Sequence, residues 1–408
     1  LYTIDIAEVL LILYDPALNM NFHDYGIMLP IAPDRGRQIL EFMIKSYHSG
    51  AKGEPMPYPG PVLNIAGALA FLGTRSPDQK MIASWEVITK EDLERVHNKQ
   101  FVDSLYNKQK KGLEPALLTA FELIDAQGNP NRYEPQQAKK PLNDLFRTIL
   151  AQAGGTYLAC RLALAADPGF CFFMGGGMHH ARYDSGSGFC LINDSVIAIA
   201  KILSESALPL IWIIDIDAHK GDGTAELIHF ARERGNLQKL PKASAKKSSL
   251  ETQASNGKPC ILTLSMHMAR GWPLDSESLT AAKEGRAPLV CSDIDIEIGQ
   301  GEETAYIPRL EAGIKELERF SAAIFPAGQK PDLVLVVDGA DTYEHDELPS
   351  SSLLKLSLEQ CLQRDNYVYR YVTDRSIPSA WIQAGGYGSR AWEPPAHFLL
   401  NLKQKGLL

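Results

Sequence analysis

Five short apolar runs, each ending in a polar or glycine-rich break, constrain the fold of this chain more than any other feature. They occupy residues 170–174, 211–214, 260–264, 333–337 and 380–382. Continuous apolar runs of this length read as strands buried on both faces, the condition of strands in a parallel sheet covered by helices. Ligands of such α/β sheets bind beyond the carboxyl ends of the strands, so all five breaks are expected to face one site. A chain of 408 residues, 45% of them hydrophobic, can build one large α/β domain over 1–408.

The central run opens the stretch IWIIDIDAHKGDG, residues 211–223. Side chains alternate along an extended backbone, which sends Asp215, Asp217 and His219 to one side and Ile214, Ile216 and Ala218 to the other. Two carboxylates and an imidazole are costly to bury together, and a divalent cation held by Asp217 and His219 is the simplest compensation. Gly221 and Gly223 allow a tight reversal into a helix expected near Thr224. The run at 333–337 leads into DGADTYEHDEL, residues 338–348, where Asp341 is the candidate third ligand. Three protein ligands leave coordination positions free, as catalysis requires. Two oxygen donors keep zinc, ferrous iron and manganese open. Glu344, Asp346 and Glu347 read as a solvated turn.

After the run at 170–174 comes GGGMHHARYDSGSGFC, residues 175–190. Its glycines place His179 and His180 on a tight turn, with Gly188 and Phe189 beyond them, which suggests a pocket with a general base and an aromatic wall. QAGGYGSR, residues 383–390, hands Tyr387 to the same edge, where its hydroxyl can donate to a developing oxyanion. Asp215 and Asp222 can orient the histidines. Ser265 and His267, after the run at 260–264, are expected behind the site. Together these groups describe metal-assisted hydrolysis of a carbonyl compound.

The remaining chain gives organisation rather than chemistry. Helices are expected at 37–47, at 92–105 with a break at His97–Asn98, and at 142–165 with an interruption at Gly154–Gly155. Glycine and proline from 50 to 61 argue against regular structure, and 125–140 reads as a loop or rim segment. Residues 231–259 are Ser- and Lys-rich and read as an exposed insertion, its KASAKKSS run being a solvated loop. A net charge of -8 argues against direct nucleic-acid binding. No run is long enough to span a bilayer, and six scattered cysteines point to a reducing compartment.

These motifs resemble, in order, the histone deacetylase superfamily, which includes bacterial acetylpolyamine amidohydrolases on an arginase-like α/β fold. The resemblance rests on VHNKQFVDSLY (96–106), GGGMHH (175–180), SGFCLINDSVIA (187–198), DIDAHKGDG (215–223), LSMH (264–267), GADTYEHDEL (339–348) and GGYG (385–388). It implies zinc on Asp217, His219 and Asp341. It makes His180 the general base and His179 its electrostatic partner, pairs them with Asp222 and Asp215 respectively, and sets Tyr387 against the carbonyl. It implies an acyl-lysine tunnel at Gly188 and Phe189, and a structural potassium ion at Asp215, Asp217, His219, Ser265 and Met266. Asp125 is the candidate for the family's rim aspartate. The sequence departs from the pattern at Lys220, where most members carry a second histidine. The implied substrate is acetyl-lysine in a protein, such as a histone-like tail. An acetylated polyamine or other small amine is the second reading, and a non-catalytic acyl-lysine binding module is the third. For a bacterial member the expected place of action is the cytoplasm, with nuclear or host-directed action left open.

Overall fold

The computed structural model describes residues 11–50, 62–73, 83–107, 112–125, 127–166, 169–238, 240, 257–285, 289–326 and 328–404. Among them, eight strands form one sheet: β1 (Leu11–Leu13), β2 (Val62–Leu63), β3 (Phe170–Phe173), β4 (Leu210–Asp215), β5 (Cys260–Met268), β6 (Ile294–Ile298), β7 (Leu333–Asp338) and β8 (Ser379–Gln383). The spatial order is β2-β1-β3-β8-β7-β4-β5-β6, and every pairing is parallel. The five expected runs are therefore five adjacent strands at the middle of the sheet, and all their residues are buried.

Alternation along these strands feeds two cores. On one face Ile211 and Ile213 pack with Phe173, Leu335 and Ile382 under the helices Leu145–Ala165 and Asp194–Glu205. On the other, Trp212 and Ile214 pack with Leu262, Val336 and Trp381 under Tyr306–Ile324 and Leu358–Thr373. Fully burying one such aliphatic side chain contributes about 1.5–3 kcal/mol, so a core on each face makes the sheet a rigid platform.

The structure adds strands at both edges. β2 has two residues, and β6 alternates Ile294, Ile296 and Ile298 with Asp295 and Glu297, a charged pattern that discourages further pairing at an edge. The helix Leu145–Ala165 runs unbroken through Gly154–Gly155, which corrects the expected interruption. A side chain at either position would press on Val87 or Phe173, so the two glycines let the helix sit close to its neighbours. The break at His97–Asn98 is present: Lys90–Glu94 and Lys99–Leu105 are separate helices, and the Asn98 side chain caps the second by accepting the Gln100 N–H. The helix expected from Thr224 starts at Asp222 and continues to Glu233, so residues 231–233 are helix rather than insertion. Leu237 and Gln238 are buried as well. Residues 241–256, like 4–10 and 51–61, lie outside the described residues. Among the described residues no helix is long and apolar enough to cross a membrane.

Candidate active site

β4 and β7 are neighbours, and each delivers a carboxylate just past its end. Asp217 follows β4, Asp341 follows β7, and His219 completes a cluster whose donor atoms all lie within 4.8 Å of one another. His219 directs Nδ1 at both acids, 2.8 Å from Asp341 Oδ2 and 3.3 Å from Asp217 Oδ1, while Nε2 meets Ser350 Oγ at 3.2 Å. Backbone amides fix the carboxylates: Asp217 Oδ2 accepts the Gly385 N–H and Asp341 Oδ1 accepts the Ala218 N–H, both at 2.9 Å. A side chain at Gly385 would overlap both carboxyl groups, so the glycine keeps the space before them clear. Buried oxygen and nitrogen donors around a cleared space fit a divalent cation.

The paired histidines sit on the loop that leaves β3. Asp194, at the start of the helix Asp194–Glu205, accepts the N–H groups of Gly177 and Met178, and the Asn193 amide donates to the His179 carbonyl. Each ring then meets its own acid. His179 Nδ1 donates to Asp215 Oδ2 at 2.7 Å, and His180 Nδ1 donates to Asp222 Oδ1 at 2.8 Å. The ring centres are 3.9 Å apart, yet their environments pull in opposite directions. Burial and the neighbouring His179 push His180 down to about 4. For His179 burial works against the charged form, but Asp215 and Asp217 outweigh it and lift the ring to about 9. At neutral pH one imidazole is charged and the other is free to accept a proton.

Tyr387 arrives from the loop after β8, and burial together with Asp341 and Asp217 holds its phenol well above the usual range, so it keeps its proton. Of the three acids expected on a solvated turn, Glu344 and Glu347 are exposed, while Asp346 departs from the expectation. Asp346 is half-buried and accepts the Tyr387 N–H at 2.7 Å, and Glu347 accepts from the Ser389 backbone and hydroxyl. Two arginines not marked by any motif brace the same loops. Arg35 donates to the carbonyls of Gln383, Ala384, Gly385 and Gly386. The fully buried Arg364 donates to Ile216 O, Gly339 O, Asp338 and Asp365, tying together the ends of β4 and β7. Arg35 binds backbone carbonyls about 350 residues away, and Arg364 joins its neighbour Asp365 to groups on two other segments, so no local pattern announces either role.

Gly188 and Phe189 line the opening, opposite Trp272, whose ring stands 4.5 Å from that of His180. Gly188 has φ 54°, and a side chain there would strike Trp272 and His180. Trp272 had no signal in the sequence beyond its aromatic character. Ser265 is the register partner of Asp215, and its hydroxyl accepts the Gly221 N–H at 3.2 Å, while Met266 is buried beside it. Lys220 points away from the acids, with Nζ 2.5 Å from Asp295 Oδ1 on β6 and His267 Nε2 3.6 Å from the same oxygen. Asp125 does not line the opening; its carboxylate closes a turn by accepting the N–H groups of Gln127 and Asn129.

A covered parallel sheet with an Asp–His–Asp cluster, two Asp–His pairs and a protonated tyrosine at its carboxyl edge defines an amide hydrolase of the arginase/deacetylase fold. The chain belongs to the histone deacetylase family, whose domain model matches residues 65–400. It is similar to Histone deacetylase 2 of Arabidopsis thaliana, 26% identical over 332 residues, covering 81% of this chain and 70% of that protein. It is also similar to an uncharacterized protein of Picosynechococcus, 28% identical over 242 residues, covering 59% of this chain and 63% of the relative. Two solved structures share the fold. The HD domain of HDA15 has a TM-score of 0.56 at 18% identity, covering 97% of this chain and 89% of that one. The acetylpolyamine aminohydrolase of Burkholderia pseudomallei has a TM-score of 0.52 at 16% identity, covering 95% and 97%.

Proposed function

We propose that this histone deacetylase-family hydrolase of acetylated amides removes the acetyl group from Nε-acetyl-lysine in proteins, with zinc held by Asp217, His219 and Asp341. The observation that carries the reading is the pair of histidines, each on its own carboxylate, lining one pocket with Tyr387 and with Asp217 and His219 of the three-donor cluster. When bound, zinc supplies Lewis-acid polarisation of the amide carbonyl and of the attacking water.

The protein groups do the rest. The lysine stem passes Gly188 and Phe189, whose walls exclude water from the acyl group. Neutral His180 takes the proton of the attacking water at Nε2 while Asp222 holds its Nδ1–H. The Tyr387 hydroxyl donates to the carbonyl oxygen as that atom gains negative charge. Charged His179, held by Asp215, adds a fixed positive charge beside the developing anion. A histidine of the pair then protonates the leaving amine. A structural potassium ion is assigned to Asp215, Asp217, His219, Ser265 and Met266, where buried acids and a hydroxyl supply oxygen donors.

The test is acetate release from an acetyl-lysine peptide and from an acetylated polyamine, with zinc supplied and Asp217→Ala as control. Peptide turnover lost in the variant supports the reading. Turnover of the polyamine alone moves the protein to small-amine substrates, and turnover of neither overturns both.

A further inference from the structure

Three of the four non-glycine residues with left-handed backbone among the described residues surround one opening. They are Glu122 (φ 53°), Arg132 (φ 50°) and Phe189 (φ 64°). Side-chain-bearing residues adopt this conformation only when their surroundings impose it, and such residues cluster where a binding surface must be held in one shape. The restraints are visible. Asn131 donates from its side chain to Glu122 O and from its backbone to Leu123 O. Met28 N–H donates to Arg132 O, and Phe189 N–H donates to Ala120 O.

The strained residues assemble a charge on the tunnel wall. The Arg132 guanidinium lies over the Phe189 ring, 5.6 Å from its centre, and Nη1 donates to Glu122 Oε2 at 3.2 Å. Glu122 is the one carboxylate among the described residues that line this opening, and Arg132 holds it. Arg132 itself is substantially exposed, and of its five donors one, on Nη1, makes a hydrogen bond to a described residue, Glu122. An approaching polycation thus finds the one carboxylate of the wall already paired and meets a guanidinium held by stacking and by that ion pair.

We propose that Arg132 is a specificity-determining residue of this opening: it favours acyl-lysine flanked by acidic side chains and turns away acetylated polyamines and peptides with basic flanks. The proposal rests on the deacetylase reading above and narrows its substrate class. Arg132 makes a charge-assisted hydrogen bond to a carboxylate one or two residues from the acyl-lysine, and Phe189 holds it in place for that contact.

The test compares acetyl-lysine peptides of one length with acidic, neutral or basic flanks, and N-acetylputrescine, on the zinc-loaded protein. Turnover of the neutral-flanked peptide, abolished in Asp217→Ala, checks the underlying reading by itself. The expected kcat/KM ratio of acidic to basic flanks is about ten-fold at low salt, shrinking as salt rises. Arg132→Glu is expected to invert the ratio and raise relative turnover of N-acetylputrescine, while Arg132→Lys keeps the original sign. Should Arg132→Glu fail to fold, the salt dependence of the wild-type ratio and the lysine variant still decide. Neutral-flanked turnover with no flank preference, or a preference unchanged in Arg132→Glu, overturns the proposal alone; no turnover of any peptide overturns it together with the deacetylase reading.

Discussion

Asp346 accepts the backbone N–H of Tyr387 at 2.7 Å, so the tyrosine loop hangs from the turn that also carries the Asp341 carboxylate. The phenol and the cluster cannot drift apart without breaking that bond. Tyr387→Phe is expected to lower kcat by about 10²–10³ through loss of one oxyanion donor. Asp346→Ala, with the phenol present but unanchored, should lower kcat by a smaller factor and leave KM nearly unchanged. Steady-state kinetics on one acetyl-lysine peptide checks both.

His180 is held neutral and His179 charged, although their rings adjoin. Replacing the proton acceptor should cost more than replacing the fixed charge. His180→Ala is expected to reduce kcat/KM by about 10²–10⁴, and His179→Ala by less. Equal losses in the two variants would contradict this division of roles.

Zinc removal should destabilise as well as inactivate, because Asp217 and Asp341 are buried against each other and His219. Free zinc at one hundred times its Kd stabilises by about 2.7 kcal/mol. Thermal melting with and without chelator should show the shift in the wild type and lose it in Asp341→Ala.

His97 predicts a pH dependence of stability away from the reaction centre. Buried in the break between two helices, it donates Nδ1–H to Arg182 O at 2.7 Å and accepts the Asn193 N–H at Nε2 at 3.1 Å. That pattern requires the neutral ring, and burial pushes it down to about 4 from 6.5. Between those values the unfolded chain binds the extra proton, so stability is present above pH 6.5 and is lost as pH falls toward 4. The loss is on the order of 3 kcal/mol. Urea titrations across this window should show the slope in the wild type and a weaker one in His97→Gln.

Buried Lys220 forms an ion pair with half-buried Asp295. Lys220→Met leaves half-buried Asp295 without its cation and is expected to cost about 1–3 kcal/mol, with Lys220→Met/Asp295→Leu recovering most of it. Denaturant unfolding of the single and double variants measures the difference.

The central strands and the residues at their ends were legible because one physical rule governs both: apolar runs buried on two faces stop where chemistry begins. The clustering of Asp217, His219 and Asp341, and of each histidine with its acid, followed from that rule and from the resemblance together. What escaped was set by tertiary context. β6 alternates isoleucine with acids and lacks the signature of a buried strand. Gly154–Gly155 weakens an isolated helix but improves packing against Val87 and Phe173. Asp346 looked like part of a solvated acidic run, since its partner, the Tyr387 amide, lies 41 residues away. Arg35 reaches the tyrosine loop across about 350 residues.

The strand order has a consequence for how the chain becomes active as it is made. β7 and β8 lie between β3 and β4, so a nascent chain that has produced β3, β4 and β5 holds a sheet with a gap two strands wide at its centre. Until residues 333–383 fill it, β3 and β4 present bare edges to any extended segment nearby. His179 and His180 stand on one side of that gap, Asp217 and His219 on the other. Closure of the gap brings Asp341 and Tyr387 with it, so hydrolytic competence reports that the last central strands have seated.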